Sequence, residues 1–254
     1  VDGSSEQSGI TILAENAAVV KNEIVVNESV GGIAAGGSVV ASKAKGKAAL
    51  EASGKNAFAA KSVALEALTG GTGNTYTTEA INHSVGVGLF AVHVDKVKTF
   101  NEMQAATTVG AIKIIDKIGD VELEPATLKI GATNAASSKA YIHSVNVGLD
   151  IASGNNLAES YAKGKASTTV DAGTSGISAK SFDIYASNSD DILTKADGSS
   201  SGLVDVSPYA ARVKNDVAST TEVNLSGQFT STNEFKAQVL RKDVENFNFA
   251  QVKN

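Results

Sequence analysis

The chain repeats itself, and this repetition constrains its fold more than any other feature of the sequence. Six of the seven positions in residues 83–89 recur in residues 143–149. Residues 44–48 recur as residues 162–166, so that several blocks follow one another in a fixed order. We divide the chain into about four modules of 52–65 residues. Their approximate bounds are 1–54, 55–118, 119–173 and 174–227, and residues 228–254 form a partial coil or the beginning of a further module.

An alternation of period two runs through the repeated blocks and predicts β-strands. In the second module His83, Val85, Val87 and Leu89 alternate with small or polar residues, and the third module keeps this pattern. We predict that these four side chains face the interior and that the intervening small or polar residues face solvent. Polar and Gly-rich clusters predict the turns between strands. They lie at residues 70–74, 153–156, 188–191 and 197–201.

One segment leaves a helical alternative open. Residues 43–68 are rich in Ala, Lys, Glu and Leu, which are strong helix formers. Lys43, Lys45 and Lys47 alternate with small residues, however, and the corresponding block at residues 179–186 contains Phe, Ile and Tyr. Because repeated units fold alike, we predict strands in both blocks.

Short repeated strands in a chain with 24 Gly and no Trp predict an all-β parallel β-solenoid. Small residues let the backbones stack closely, and equivalent residues of successive layers form ladders. With about 20 residues in each coil, the chain makes about 13 coils and a rod about 60 Å long. Each module then contains two or three coils.

The composition excludes several classes of function. The chain has no Cys, which rules out thiol catalysis, Cys-ligated zinc, iron–sulfur clusters and disulfides. Its net charge of −5 argues against nucleic acid as a partner, because phosphate binding needs a basic excess. There is no Gly-x-Ser-x-Gly motif and no phosphate-binding glycine loop. We predict no catalytic residue, no cofactor and no metal.

Histidines and paired acids are the residues that come closest to a site. His83 and His143 share one repeat position, and Asp197 falls near that position in the fourth module. Modules of three coils separate the two histidines by about 14 Å, which is too far for a shared metal. The pair Asp190 and Asp191 lies in a polar cluster and predicts a solvated loop. The pair Glu122 and Glu124 is the other candidate for paired carboxylates.

Basic residues recur once in each module at positions that the alternation predicts to face outwards. We expect them to align as a basic stripe on one side of the molecule, where they bind anionic glycans or an anionic cell surface, with Tyr161 as an aromatic neighbour. The alternative is a solvated, lysine-guarded face that prevents aggregation. The stripe consists of Lys43, Lys45, Lys47, Lys96, Lys98, Lys163, Lys165, Arg212 and Lys214.

Residues 153–227 resemble the repeat regions of filamentous-haemagglutinin-like adhesins of bacterial two-partner secretion, and in particular the leukotoxin-type filamentous adhesins. The resemblance rests on residues 162–170, 178–186 and 202–211. It implies a right-handed parallel β-helix, a secreted or cell-surface location, and a role in virulence as the stalk or binding segment of a large adhesin or exotoxin that attaches to host cells or surfaces. It also implies an outer-membrane secretion partner and a receptor on the host cell. We find no counterpart of the family's secretion domain and expect a middle segment of a longer fibre.

Two other functions remain open at this stage. One is a β-helix polysaccharide lyase or hydrolase, which needs one non-repeating coil with a charged cleft. The other is a self-assembling extracellular fibre subunit, because the open ends of a solenoid carry unpaired strand edges that can stack end to end.

Overall fold

A computed structural model describes residues 9–53, 56–70, 76–115, 117–118, 121–122, 126–202, 209–241 and 246–253. The described chain is all-β, with one large parallel sheet, two small two-stranded sheets and no helix. One of the small sheets, β7 with β8, is antiparallel. This architecture is compatible with a β-solenoid. The strands are β1 Gly9–Asn16, β2 Val20–Ala52, β3 Ala57–Phe58, β4 Ser62–Gly70, β5 Thr78–Val109, β6 Lys113–Ile114, β7 Lys117–Ile118, β8 Val121–Glu122, β9 Thr127–Ala162, β10 Lys165–Asp171, β11 Ile177–Ser201, β12 Tyr209–Val217, β13 Thr220–Ser226, β14 Phe229–Arg241 and β15 Asn246–Lys253.

Strands of the large sheet pair with strands about one module away. β5 pairs with β2 on one side and with β9 on the other, and β9 pairs in turn with β11. Hydrogen bonds between stacked side chains join residues 52 to 65 positions apart. The prediction of two or three coils in each module was therefore wrong. Each described module forms one long layer, because its strands pair directly with those of the next module. The repeated blocks do stack in register: Thr107 lies on Thr168 and Ser84 on Ser144.

Each layer folds back on itself. In the third layer, which consists of β9 and β10, residues 127–148 run towards the fold-back and residues 151–171 return from it. We call residues 127–148 and the residues stacked on them the outgoing arm. We call residues 151–171 and the residues stacked on them the return arm. The Asn156 amide donates a hydrogen bond to Ser144 Oγ at 2.9 Å, and the Asn146 amide donates one to the Ser153 carbonyl. The inner side chains of the two arms thus meet across the interior, and the fold-back lies between residues 146 and 153.

The main core lies at the end opposite the fold-back. Leu65, Leu128, Ile130 and Ile184 of the outgoing arm are completely buried and pack in one cluster with Val109 and Val170 of the return arm. A smaller cluster around Ile142 and Val97 lies closer to the fold-back. The apolar interior therefore ends part-way along the arms.

Near the fold-back the interior is polar, whereas the sequence predicted that the apolar side chains face inwards there. Asn82, Ser84 and Asn146 are buried, whereas Val87 and Leu149 are exposed. The set His83, Val85, Val87 and Leu89 therefore faces outwards, and the intervening small and polar residues face inwards. The alternation was correct, but the buried face was wrongly assigned. Polar residues fill this interior because the opposite arm and the adjacent layers supply their hydrogen bonds.

Other local predictions also had mixed outcomes. The described part of residues 43–68 contains strands, so the helical alternative is wrong. The polar clusters at residues 153–156, 188–191 and 197–201 lie within β9 and β11 instead of in turns. Most of the cluster at residues 70–74 lies outside the described residues. In the part of the chain that the model describes, no helix is long and apolar enough to cross a membrane.

Candidate glycan-binding face

The nine basic residues of the stripe share the outer face of the return arm. They occupy five neighbouring columns in four stacked layers, and each step along the strand from one column to the next is two residues. Lys96 and Arg212 both stack on Leu157, and Lys98 and Lys214 both stack on Glu159. Lys47 and Lys165 lie on opposite sides of Gln104. The repeat therefore brings together cations that are far apart in the sequence.

Carboxylates are interleaved among the cations, and the predicted stripe did not include them. Lys43 forms an ion pair with Glu102 at 3.0 Å, and its hydrogen bond lowers the pKa of that carboxyl. Lys165 forms an ion pair with Glu222. These cations are partly neutralised, while no ion pair is described for Lys45, Lys163 or Lys214. The face is therefore less basic than the stripe alone suggests, although it keeps a basic excess.

The best-organised part of the face is the cluster around Glu159. Lys96 and Lys98 hold its carboxylate at 3.2 and 3.1 Å. Burial raises the pKa of Glu159, but hydrogen bonds from Lys98 and Lys96 outweigh burial and leave the pKa below its usual value. The same contact raises the pKa of Lys98. Glu159 and Lys98 are therefore ionised at neutral pH, and the two lysines are held close together by one carboxylate.

An aromatic pair lies next to this cluster. The rings of Phe100 and Tyr161 stack at a centroid distance of 4.8 Å and an angle of 7°. Lys214 Nζ lies 5.7 Å from the centroid of the Tyr161 ring. The ring of Tyr161 thus stacks on Phe100 within the protein. Together with Lys43, Glu102 and Lys163, the aromatic pair lines a shallow pocket of about 180 Å³.

This arrangement suits an extended anionic polymer. Cations that share a column are two layers apart, or about 9.6 Å, since paired strands are about 4.8 Å apart. Carboxylate or sulfate groups along a polymer can therefore contact several layers at once, and many weak charge contacts add up. The shallow pocket and partly paired lysines do not provide an enclosed site for a single small molecule.

His83 and His143 lie on the outer face of the outgoing arm. His83 stacks on His143 in register, with ring centroids 6.2 Å apart, so the predicted separation of about 14 Å was wrong. Asp197 does lie at the same position in the next layer, and His143 Nδ1 is 2.8 Å from Asp197 Oδ1. Burial raises the pKa of Asp197, but hydrogen bonds from Lys195 and His143 outweigh it and lower the pKa. The described residues contain no group of three acids or histidines that fits a metal ion.

His93 has a different environment, which was not predicted from the sequence. It is completely buried, and its Nε2 lies 2.7 Å from Ser29 Oγ. Asp95, also buried, accepts hydrogen bonds from Ser38 and Ser84. Gly36 and Gly86 leave room for the His93 ring, because an added Cβ at either position lies within 2.8 Å of it. Small residues stacked beside one large polar residue were the available sequence signal.

The paired acids are separated by the alternation. Asp190 is buried within β11 and accepts a hydrogen bond from Ser219, whereas Asp191 is exposed. The predicted solvated loop is therefore wrong for Asp190. Glu122 lies in β8, and Glu124 lies outside the described residues.

Burial of Asp190 leads to a prediction about pH and stability. Burial raises the pKa of Asp190 above its usual value, although the Ser219 hydrogen bond and Arg241 oppose this effect. The folded protein therefore binds this proton more tightly than the unfolded chain, and stability falls as pH rises through the raised pKa. We expect Asp190→Asn to raise the midpoint of thermal unfolding at pH 7 by a few degrees. The gain should vanish below the usual carboxyl pKa of about 4; a gain that persists there contradicts this explanation.

The chain matches no family model, no curated protein and no solved structure. Two observations therefore bear on function, namely the geometry of the basic face and the resemblance of the repeated blocks.

Proposed function

We propose that this chain is a non-catalytic stalk and binding segment of a large secreted bacterial adhesin, and that it attaches to anionic glycans on host cells. The observation that carries the proposal is the stacking in register, which places all nine basic residues on one outer face. Single lysines scattered over a surface provide little binding energy, whereas aligned columns can contact one polymer at many points.

The same proposal includes a finer description of the fold. The parallel pairing of layers about one module apart supports a β-solenoid, and the family resemblance favours a right-handed one. In a solenoid each layer contacts only its neighbours, so more layers lengthen the molecule without changing its cross-section. Such a stalk carries a binding face outwards from the cell that secretes it through an outer-membrane partner.

We expect the binding of heparin, used as a model anionic glycan, to depend on the stripe and on salt. Lys163→Gln with Lys165→Gln should weaken binding about tenfold at low salt, because two contacts with the polymer are lost. The measurement is a titration by surface plasmon resonance between 50 and 300 mM NaCl, with binding expected to weaken as salt screens the charges.

A matched control removes the same charge elsewhere. Lys180 and Lys236 are exposed on β11 and β14, outside the stripe. Lys180→Gln with Lys236→Gln should leave heparin binding within about twofold of the parent, since the net charge changes equally in both variants. Equal losses in the two variants show nonspecific attraction and overturn the proposed face, as does the absence of binding at 50 mM NaCl.

A second candidate function is that of a self-assembling extracellular fibre subunit. Among the described residues, β2 pairs only with β5, and β14 and β15 pair only with β11. Each of these strands has a second edge whose backbone groups can pair with another chain. Sedimentation distinguishes the functions, because a fibre subunit forms larger species as its concentration rises without any glycan.

A further inference from the structure

At the fold-back, the first three layers have polar side chains inside and apolar side chains on the outer surface. We call this region the tip, and define it as residues 27–38, 84–95 and 144–156. Its interior contains Ser84, His93, Asp95 and Asn156, all completely buried or nearly so. These groups are linked by hydrogen bonds such as that from Ser84 Oγ to Asp95 and that from Asn156 to Ser144. The polar groups of the tip are thus directed away from solvent.

The outer surface of the tip is apolar instead. Val30 is 77 % exposed and Leu149 is 59 % exposed. Side chains from three layers line a groove of about 400 Å³ on the outgoing side. The exposed large hydrophobic residues of the tip are Val30, Ile33, Val87, Leu89, Phe90, Val92, Val94, Val147 and Leu149. A continuous apolar surface of this kind marks a site of interaction with an apolar partner.

Charged groups on the described outer surface of the tip are few. Glu28 lies at its border, stacked on Val85, and Asp150 lies at the fold-back of the third layer. The remaining outer positions are apolar, or are uncharged residues such as Ser153 and Asn155. The backbone of β5 pairs with neighbouring layers on both sides, so its polar groups are satisfied without water. The β5 part of this surface can therefore enter an apolar medium at low cost.

A basic collar borders the tip on the return arm. It consists of Lys96, Lys98, Arg212 and Lys214, which flank the single carboxylate of Glu159. The first collar position, Lys96, is two residues beyond Val94, the last exposed apolar residue of the tip on this arm. A basic border along one side of an apolar surface that carries few charges fits the anionic headgroups and acyl boundary of a lipid bilayer.

We propose that the tip docks on anionic lipid bilayers, with its apolar outer faces at the acyl boundary and the collar at the headgroups. Residues 85–89 of an extended strand span about 13 Å, which is more than the depth of about 5–10 Å to which interfacial segments enter a bilayer. The apolar residues of the tip lie outside the stripe, whereas the four cations of the collar also belong to it, so only the apolar residues distinguish bilayer docking from glycan binding. A second copy of the chain is the competing occupant, but an apolar partner alone does not require the basic collar.

The absence of Trp from the chain permits a direct test. Leu149→Trp places a single fluorophore on the tip, and Val239→Trp places one at a similarly exposed apolar position on β14. We titrate each variant with vesicles of phosphatidylcholine containing 30 % phosphatidylserine, and with phosphatidylcholine alone. The emission of Leu149→Trp should shift to shorter wavelength with the anionic vesicles and should be quenched by brominated acyl chains, while Val239→Trp shows neither change.

A second pair of variants tests the energetics without a fluorophore. Leu89→Ser with Leu149→Ser should weaken flotation with anionic vesicles about tenfold for each leucine, because each loses the burial of one apolar side chain. Val239→Ser with Leu240→Ser is the control and should float like the parent. The proposal is overturned if the parent does not float, if both double variants float like it, or if it binds both vesicle types equally. It is also overturned if Leu89→Ser with Leu149→Ser dissociates a dimer of the free protein, since that outcome assigns the tip to a second copy.

Discussion

Ile130→Ala should lower the free energy of unfolding by about 2–5 kcal/mol. Ile130 is completely buried and stacks on Leu65 in one adjacent layer and on Ile184 in the other. Shortening its side chain leaves a cavity between two layers that are held by backbone pairing and cannot easily collapse into it. Because each layer contacts mainly its neighbours, the defect also weakens the coupling between the two parts of the stack.

Urea denaturation followed by circular dichroism measures this loss. Leu149→Ala serves as the control, because it removes a similar side chain from an exposed position in the same strand. The control should change the free energy of unfolding by less than about 0.5 kcal/mol. If both variants lose the same stability, Ile130 is not in the core and the register of β9 on β4 and β11 is wrong.

The repeats of the sequence predicted much of the stacking, but not its spacing. Residues 44–48 and 162–166 share columns, with residues 101–105 of β5 between them. This agreement arises because ladders favour similar residues one above another. The assumption of about 20 residues in each coil had no support from the repeats themselves. The module length is also the length of one layer, since residues one module apart are directly paired.

The assignment of the buried face required information that the alternation does not contain. A period of two shows that Val87 and Ser84 face opposite sides, but a strand shifted by one residue gives the same pattern with the opposite face buried. Hydrophobicity alone favoured a buried Val87. The opposite arm determines the outcome, because Asp95 and Asn156 supply partners for polar residues near the fold-back. These partners come from positions that only the folded arrangement brings together.

The candidate face was more predictable than the interior. Within each strand the basic residues occupy the outward-facing positions of the alternation, and the register between layers brings the four groups to one side. The effect of Glu102 and Glu159 was not predictable in the same way. Glu102 contacts Lys43, and Glu159 contacts Lys96 and Lys98. The contacts with Lys43 and Lys96 are diagonal, because each of these lysines lies two residues along the strand from the position that is paired with the acid. The charge of the face therefore depends on stacking that the sequence analysis did not resolve.

Gly148→Ala should produce the second large loss of stability, by about 1–3 kcal/mol. Gly148 stacks on Gly88 at the fold-back of the third layer. An added Cβ at Gly148 lies 2.2 Å from the carbonyl oxygen of Ile151 and 2.6 Å from its carbonyl carbon. Both atoms belong to the backbone, so no rotamer change can relieve the overlap and the fold-back itself must shift.

The chain offers a matched control for this substitution. Gly32 lies in the corresponding region of the first layer, and an added Cβ there meets nothing within 4 Å. Gly32→Ala should be neutral or slightly stabilising, since alanine restricts the unfolded chain more than glycine does. Thermal unfolding of both variants compares them. Equal stability of Gly148→Ala and Gly32→Ala contradicts the close approach of the two arms, because only the close approach distinguishes the two glycines.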